Sequence, residues 1–491
     1  MSFQTTPLRR QRAGAAALPR TLTRGAGAIA AVALMLLHAQ PAGAQTGRDT
    51  VMRPHQATMD TAAIQPTIAT ARTGDATLDR LVSLAVERNP QAAAARARRA
   101  SAEARVRPAG TRPDPILSAG LIMIPIAKPS LIDDDFTMLM VGVQQSFPAS
   151  GKRSLRTRAA TLDVESALSA VTASELDVAR AVKDAWFEIA YLDRALLVAR
   201  RHGTVLGDLI QVAEAQYGSG SATQQDVLAA RIDAARLGET ANALLEARRG
   251  SVAQLNASLD RPSDVPVEEV TLPSRIVRAS IASDPASIRF GAATLGARAA
   301  DSPLPSLATL QELAERNSPM LRGHAYRIEA QRARVELAQR ESRPDVDVML
   351  QYNHRPAYPD LVTAQVSFPL RLQKSARQHE AVRESSAELS ALVAEHRAEV
   401  NLVRAQIATL VSEAEHHRTQ LALYVKAILP QAQAGATSAA ASFQAGRADL
   451  RMLLQQQAAV FVHETAYFRA QSDFAKKIAE LEQVIGAEVL P

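Results

Sequence analysis

Between residues 152 and 202 the chain reads KRSLRTRAATLDVESALSAVTASELDVARAVKDAWFEIAYLDRALLVARRH, with neither glycine nor proline. Val164, Leu168, Val171, Val178, Val182, Ala185, Ile189, Leu192 and Leu196 recur in steps of three and four, with a single step of seven. That heptad-like seam predicts a helix packed along another helix. Residues 371–429 are likewise free of glycine and proline. At about 1.5 Å per residue, stretches of this length span on the order of 80 Å. Globular helices average only about 11–12 residues, so these segments are structural rods. Partner helices of similar character are predicted over 222–259 and 431–485.

The rods belong to a repeat. Leu81 to Pro90 reads LVSLAVERNP, and Leu310 to Pro319 reads LQELAERNSP. Arg112-Pro113-Asp114 returns as Arg343-Pro344-Asp345, and Ser146-Phe147-Pro148 as Ser367-Phe368-Pro369. Tyr217-Gly218-Ser219-Gly220 is matched by Phe443-Gln444-Ala445-Gly446. A period this long is not a solenoid of small units; it predicts two halves of one object. The first repeat covers 75–259 and the second 306–488. Between them 260–305 carries six prolines among scattered charges, the composition of a connector with short elements wrapping the rods.

Strands fall between the short first helix and the rod of each repeat. In 345–353, Val346, Val348, Leu350 and Tyr352 alternate with Asp347, Met349, Gln351 and Asn353. In 361–370, Val362, Ala364, Val366, Phe368 and Leu370 alternate with Thr363, Gln365 and Ser367. This predicts a β-hairpin with one apolar and one polar face. The first repeat has strands over about 115–124 and 137–147, joined by a loop about five residues longer. Strands of about ten residues with this alternation have the length of outer-membrane barrel strands. A soluble sheet half-buried against a core is the alternative. Four strands cannot close around an open lumen, so the barrel reading requires oligomerisation.

Composition bounds the rest. There is no cysteine, hence no disulfide framework, thiolate site or lipid-modified cysteine. Arg9, Arg10, Arg12, Arg20 and Arg24 carry all but one charge of the net +6, so the basic balance gives no reason to expect a nucleic-acid partner. Residues 1–44 read as a cleaved signal peptide: Arg20 and Arg24 precede the apolar run Ala26 to Leu37, and Ala42-Gly43-Ala44 is a small-x-small cleavage pattern ending at Ala44. A flexible tail follows over 45–74. Later in the chain no segment has the apolar length of a spanning helix. His463-Glu464 lacks the second histidine of a zinc-protease helix, Tyr467 standing there. No phosphate loop or nucleophile elbow is present, so no catalytic, cofactor or metal residues are expected and the protein reads as a non-enzyme. His379, His416 and His417 lie on a long helix without a spaced ligand set. Met123, Met138 and Met140 near the first hairpin read as packing.

Two hairpins, two pairs of very long helices and an internal duplication together resemble the TolC-type outer-membrane efflux proteins, over roughly residues 75–488. The resemblance implies a mainly α fold with a β-barrel portion: an α-helical tunnel of long coiled-coil-like helices, and four transmembrane strands per protomer. It implies a homotrimer with a 12-stranded barrel in outer-membrane lipid, a long periplasmic extension, a periplasmic adaptor (membrane fusion) protein and an inner-membrane pump of the RND type. It also implies an aperture at the rod turns, marked by the glycines Gly220 and Gly446. Asp226, six residues past Gly220, stands where relatives line the tunnel mouth; a solvated charge in a helix's first turn is the other reading. In the second turn Phe443 replaces a tyrosine and Met452 an acidic residue, leaving Arg447, Asp449 and Arg451 as a different set of candidate aperture charges. Gly151-Lys152-Arg153 with Arg156 resembles the heavy-metal branch of the family, though a basic cluster at the membrane interface explains it equally. The competing reading of the whole is a periplasmic coiled-coil scaffold or adaptor without a pore.

Overall fold

The computed structural model describes residues 76–126, 130, 132, 136–280 and 304–490. The predicted signal peptide with Ala44, the tail over 45–74 and much of the connector lie outside the described residues.

Each repeat opens the same way. Helix α1 (Ala76–Arg88) stops at Asn89, whose side chain accepts from the Gln91 backbone N–H at 2.8 Å and so caps α2 (Pro90–Gly110). Proline at the first helical position lacks only a donor that the helix would leave unused. In the second repeat Ser306 caps α6 (Leu307–Asn317), and α7 (Pro319–Arg340) again begins on a proline. Strands β1 (Ile116–Ile122) and β2 (Met138–Phe147) follow α2; β3 (Val346–His354) and β4 (Leu361–Ser367) follow α7. They form one antiparallel sheet in the order β1-β2-β3-β4, so β2 and β3 join the two repeats. The expected β4 end at 370 is not reached. The ladder stops before Phe368-Pro369, since proline has no N–H to give it.

The first rod, α3 (Lys152–Gly218), is 67 residues of unbroken helix, and α4 (Gln224–Ser258) returns beside it. Within the connector a short helix, α5 (Ser274–Ser280), places Ile276 in the core. The second rod departs from expectation. It opens with a π-helical turn (Ser375–His379), continues as α8 (Glu380–Leu423), passes through a second π turn (Tyr424–Ile428) and runs on as α9 (Leu429–Gln444). The boundary expected between 429 and 431 is therefore not a helix end, and the partner helix α10 covers Leu450–Ile485. Pro430 cannot donate to the preceding turn and its ring crowds the carbonyl there. The wider π turn directly before it absorbs both defects, so the rod continues through the proline.

The main core lies where the rods, α10 and the short helices meet. Phe187, Ile189, Ile407, Leu421, Phe474, Leu481 and Ile485 are all buried there. Each such side chain contributes roughly 1.5–3 kcal/mol on burial. Trp186 donates Nε1–H to the Thr271 carbonyl at 3.1 Å, tying the connector to α3. A smaller core fills the far end of the rods and includes Leu206, Val227, Phe443, Leu450 and Leu453. Among the described residues, no helix is long and apolar enough to cross a membrane.

Candidate functional site at the rod turns and the sheet

The two rod turns share one backbone. Gly220 and Gly446 have φ of 74° and 66°, a left-handed conformation that glycine adopts without a Cβ penalty. In the first turn Gly220 N–H donates to Tyr217 O at 3.0 Å and Ser221 N–H to Gln216 O at 2.8 Å. In the second, Gly446 N–H donates to Phe443 O at 3.0 Å and Arg447 N–H to Ser442 O at 2.8 Å. Three residues past each glycine a side chain caps the outgoing helix. Thr223 Oγ1 accepts from Asp226 N–H, and Asp449 Oδ1 accepts from Met452 N–H.

The side chains differ. Asp226 completes a capping box: its Oδ2 accepts from Thr223 N–H at 3.0 Å and from Thr223 Oγ1–H at 2.7 Å. The Thr223 hydroxyl and N–H hold this carboxyl below the usual carboxylate range, and the Arg451 charge adds to the effect. The carboxylate is thus partly committed to its own helix start. Met452 occupies the corresponding position in the second turn and is 51% exposed. Arg447, Asp449 and Arg451 are exposed, and among the described residues neither arginine has an ion-pair partner. The resemblance places Phe443 at the aperture. It is 9% exposed and packs in the tip core, because its alanine-rich helix leaves room for one large side chain there. Tyr217, its counterpart, is 51% exposed; the tyrosine-to-phenylalanine difference was the available sequence signal.

The basic cluster that opens the first rod is an internal joint. Lys152 is fully buried, and its ammonium lies 2.8 Å from Asp345 and 2.9 Å from Glu341. Arg156 reaches Glu341 at 3.0 Å, and Arg153 donates to the Gly110 carbonyl. Burial opposes charge on Asp345, but the Lys152 ammonium and the Ala149 N–H outweigh it and hold the carboxyl low. Three segments distant in sequence meet in this network.

The sheet carries the strongest functional signal. Register puts Leu117, Ala119 and Leu121 of β1 beside Leu139, Val141 and Val143 of β2. The same face continues through Phe147, Val346, Val348, Leu350 and Tyr352 to Val362, Ala364 and Val366. Gln145 and, at the end of β3, His354 are the polar residues on it. On the central strands this apolar face is the open one: Leu139, Phe147, Val346, Val348 and Leu350 are 37–42% exposed. The opposite face carries Gln144, Ser146, Asp347, Gln351 and Asn353 and is more enclosed. A soluble sheet buries its apolar face; this one turns it outward, as a barrel wall in lipid does.

A family model for outer membrane efflux proteins matches residues 81–261. No curated protein matches the chain in sequence. Among solved structures, the outer-membrane channel OprN has a TM-score of 0.69 at 16% identity, covering 84% of this chain and 91% of its own. VceC from Vibrio cholerae has a TM-score of 0.69 at 19% identity, covering 85% of this chain and 98% of its own. The CmeC outer membrane channel of Campylobacter jejuni has a TM-score of 0.67 at 11% identity, covering 85% of this chain and 87% of its own. At these identities the likeness to solved structures is one of fold. The first repeat thus matches the outer membrane efflux protein family in sequence, and both repeats share the fold of these outer-membrane channels.

Proposed function

We propose that this protein is the outer-membrane duct of a tripartite efflux system. It conducts, passively, substrates that an inner-membrane transporter of the RND type and a periplasmic adaptor deliver. Three copies contribute four strands each to a barrel of twelve in outer-membrane lipid, and their rods form a tunnel through the periplasm. The exported precursor is cleaved after Ala44, and the mature chain carries no lipid on cysteine.

The single observation behind this reading is the sheet whose apolar face is the exposed one. Water would penalise that face at roughly 25 cal/mol for each Å² left uncovered, whereas lipid covers it. Four strands leave two open edges, which isolated sheets avoid. A coiled-coil scaffold has no use for such a sheet.

At the rod turns, Asp226 with Arg447, Asp449, Arg451 and Met452 would surround the periplasmic aperture. The adaptor would dock on the outside of the same tip, where Leu228 and Ile232 lie one helical turn apart at 49% and 51% exposure. The test is fractionation followed by reconstitution. The mature protein should pellet with outer membranes, begin at Gln45, and open steady pores in planar bilayers. A protein that stays in the supernatant, or forms no pores, refutes the duct.

A further inference from the structure

This inference rests on the trimeric duct and concerns how one copy meets the next. Strands β1 and β4 are the edges of the four-stranded sheet, and among the described residues neither has a partner on its outer side. The seam between β2 and β3 is already a joint between repeats, so it serves as a template for the joint between copies. Ser146-Phe147-Pro148 corresponds to Ser367-Phe368-Pro369, and Arg343-Pro344-Asp345 to Arg112-Pro113-Asp114. The observed pair Ser146↔Asp347 then maps onto Ser367↔Ile116. Continued antiparallel, the pairing ends at Leu361↔Ile122. These are the two ends of β4 and of β1, so two seven-residue strands match from end to end. The apolar face is preserved: Val366 meets Leu117, Ala364 meets Ala119, and Val362 meets Leu121.

The junction behind the strands is incomplete in the same sense. Behind β2, Ala149 N–H and the Lys152 ammonium both bind Asp345 of the other repeat, each at 2.8 Å. Behind β4 lie Arg371, Lys374 and Arg377, and among the described residues none has an ion-pair partner. Arg371 Nε and Gln378 Oε1 are shielded from water yet have no hydrogen-bond partner. Both residues line a cavity of about 360 Å³ with Leu370, Leu372, Gln373 and Arg377. The counterpart of Asp345 is Asp114, exposed and without an ion pair among the described residues. The helices repeat the pattern, since α7 packs against both rods while α2 packs against the first alone. The second rod has exposed Val393 and Leu402 to offer another copy's α2.

We propose that β4 of one copy pairs with β1 of the next in the register Leu361↔Ile122 to Ser367↔Ile116, and that Asp114 of that next copy enters the basic junction of Arg371, Lys374 and Arg377. Directly opposed residues have Cβ atoms roughly 4.5–5.5 Å apart and diagonal neighbours about 7–8 Å, so disulfides report the register. The chain has no cysteine, so there is no background. Val366→Cys with Leu117→Cys, or Ala364→Cys with Ala119→Cys, should cross-link oxidised membranes into covalent trimers. The shifted pair Val366→Cys with Ala119→Cys should yield at least about tenfold less. Shifted cross-links equal to or stronger than the opposed ones overturn the register. The mass of the unmodified protein in detergent separates the two failures. Anything but three copies refutes the duct reading itself, and a trimer with shifted cross-links refutes only this pairing. Independently, Asp114→Lys should lower the temperature at which the trimer dissociates on gels, and adding Lys374→Asp should restore part of it. An unchanged dissociation temperature in Asp114→Lys overturns the junction.

Discussion

The two rod turns have nearly the same backbone and different side chains. Both end a rod with a left-handed glycine, return the same pair of hydrogen bonds and cap the outgoing helix three residues later. Yet the first exposes its aromatic and holds an acid in a capping box, while the second buries its aromatic and presents a methionine. The backbone belongs to the duplication, because any helix reversal of this length needs those elements. The side chains are where the repeats took separate parts: the second turn anchors the tip core with Phe443 and exposes Arg447, Asp449 and Arg451, while the first exposes Tyr217 and ties Asp226 into a helix cap.

The comparison breaks most visibly at the aromatics. Phe443→Ala should destabilise the tip by about 3–5 kcal/mol, the usual cost of emptying a buried phenylalanine site. Tyr217→Ala should stay within about 0.5 kcal/mol. Hydrogen exchange in α9 and the start of α10 reads the first, and equal effects would deny the asymmetry. The glycines should behave alike. Gly220→Ala and Gly446→Ala have open space around an added Cβ, so each should cost only the left-handed penalty of about 1–2 kcal/mol. Limited proteolysis at the two turns would expose any inequality.

Thr223→Ala should cost about 1 kcal/mol of cap, seen as faster exchange of the first amides of α4. Acid sharpens the same point. The folded Asp226 carboxyl titrates below its ordinary value of about 3.9, so its stabilising contribution is complete above that value. It is lost as pH falls through the lower folded value. Protection factors in the first turn of α4 should therefore drop in strong acid, while Met452 gives the second turn no such dependence at that position. The smallest effect is on conduction. Asp226→Asn should lower the cation-to-anion permeability ratio modestly, since that carboxylate is partly engaged by Thr223. An unchanged ratio in planar bilayers would argue against a position at the aperture.

Much of this was legible before any coordinates. Rods, hairpins and turn glycines come from local rules: uninterrupted apolar periodicity, strict alternation, and a residue that tolerates positive φ. What those rules do not reach is tertiary. Pro430 looked like a stop because a proline inside a helix usually is one, and only the π turn beside it shows how the rod continues. Phe443 is placed at the aperture by resemblance, since it stands where a tyrosine can occur, and nothing in the string says that it shares a core with Val227, Leu450 and Leu453. The cluster Lys152, Arg153 and Arg156 reads as a feature of the heavy-metal branch or as a basic cluster at the membrane interface; its carboxylates sit nearly two hundred residues away in sequence.

The sequence by itself determined that the chain is built twice, that its helices are rods, and that each strand has one apolar and one polar face. These are properties of residue type and spacing, which act over a few neighbours. Tertiary structure alone decided that β2 pairs with β3, that the four apolar faces align on the open side of one sheet, and that Lys152 is buried between Glu341 and Asp345. Alternation requires the two faces of a strand to differ but does not say which one meets solvent or lipid. That choice depends on register and on contacts between segments far apart in the chain, which a linear string does not bring together.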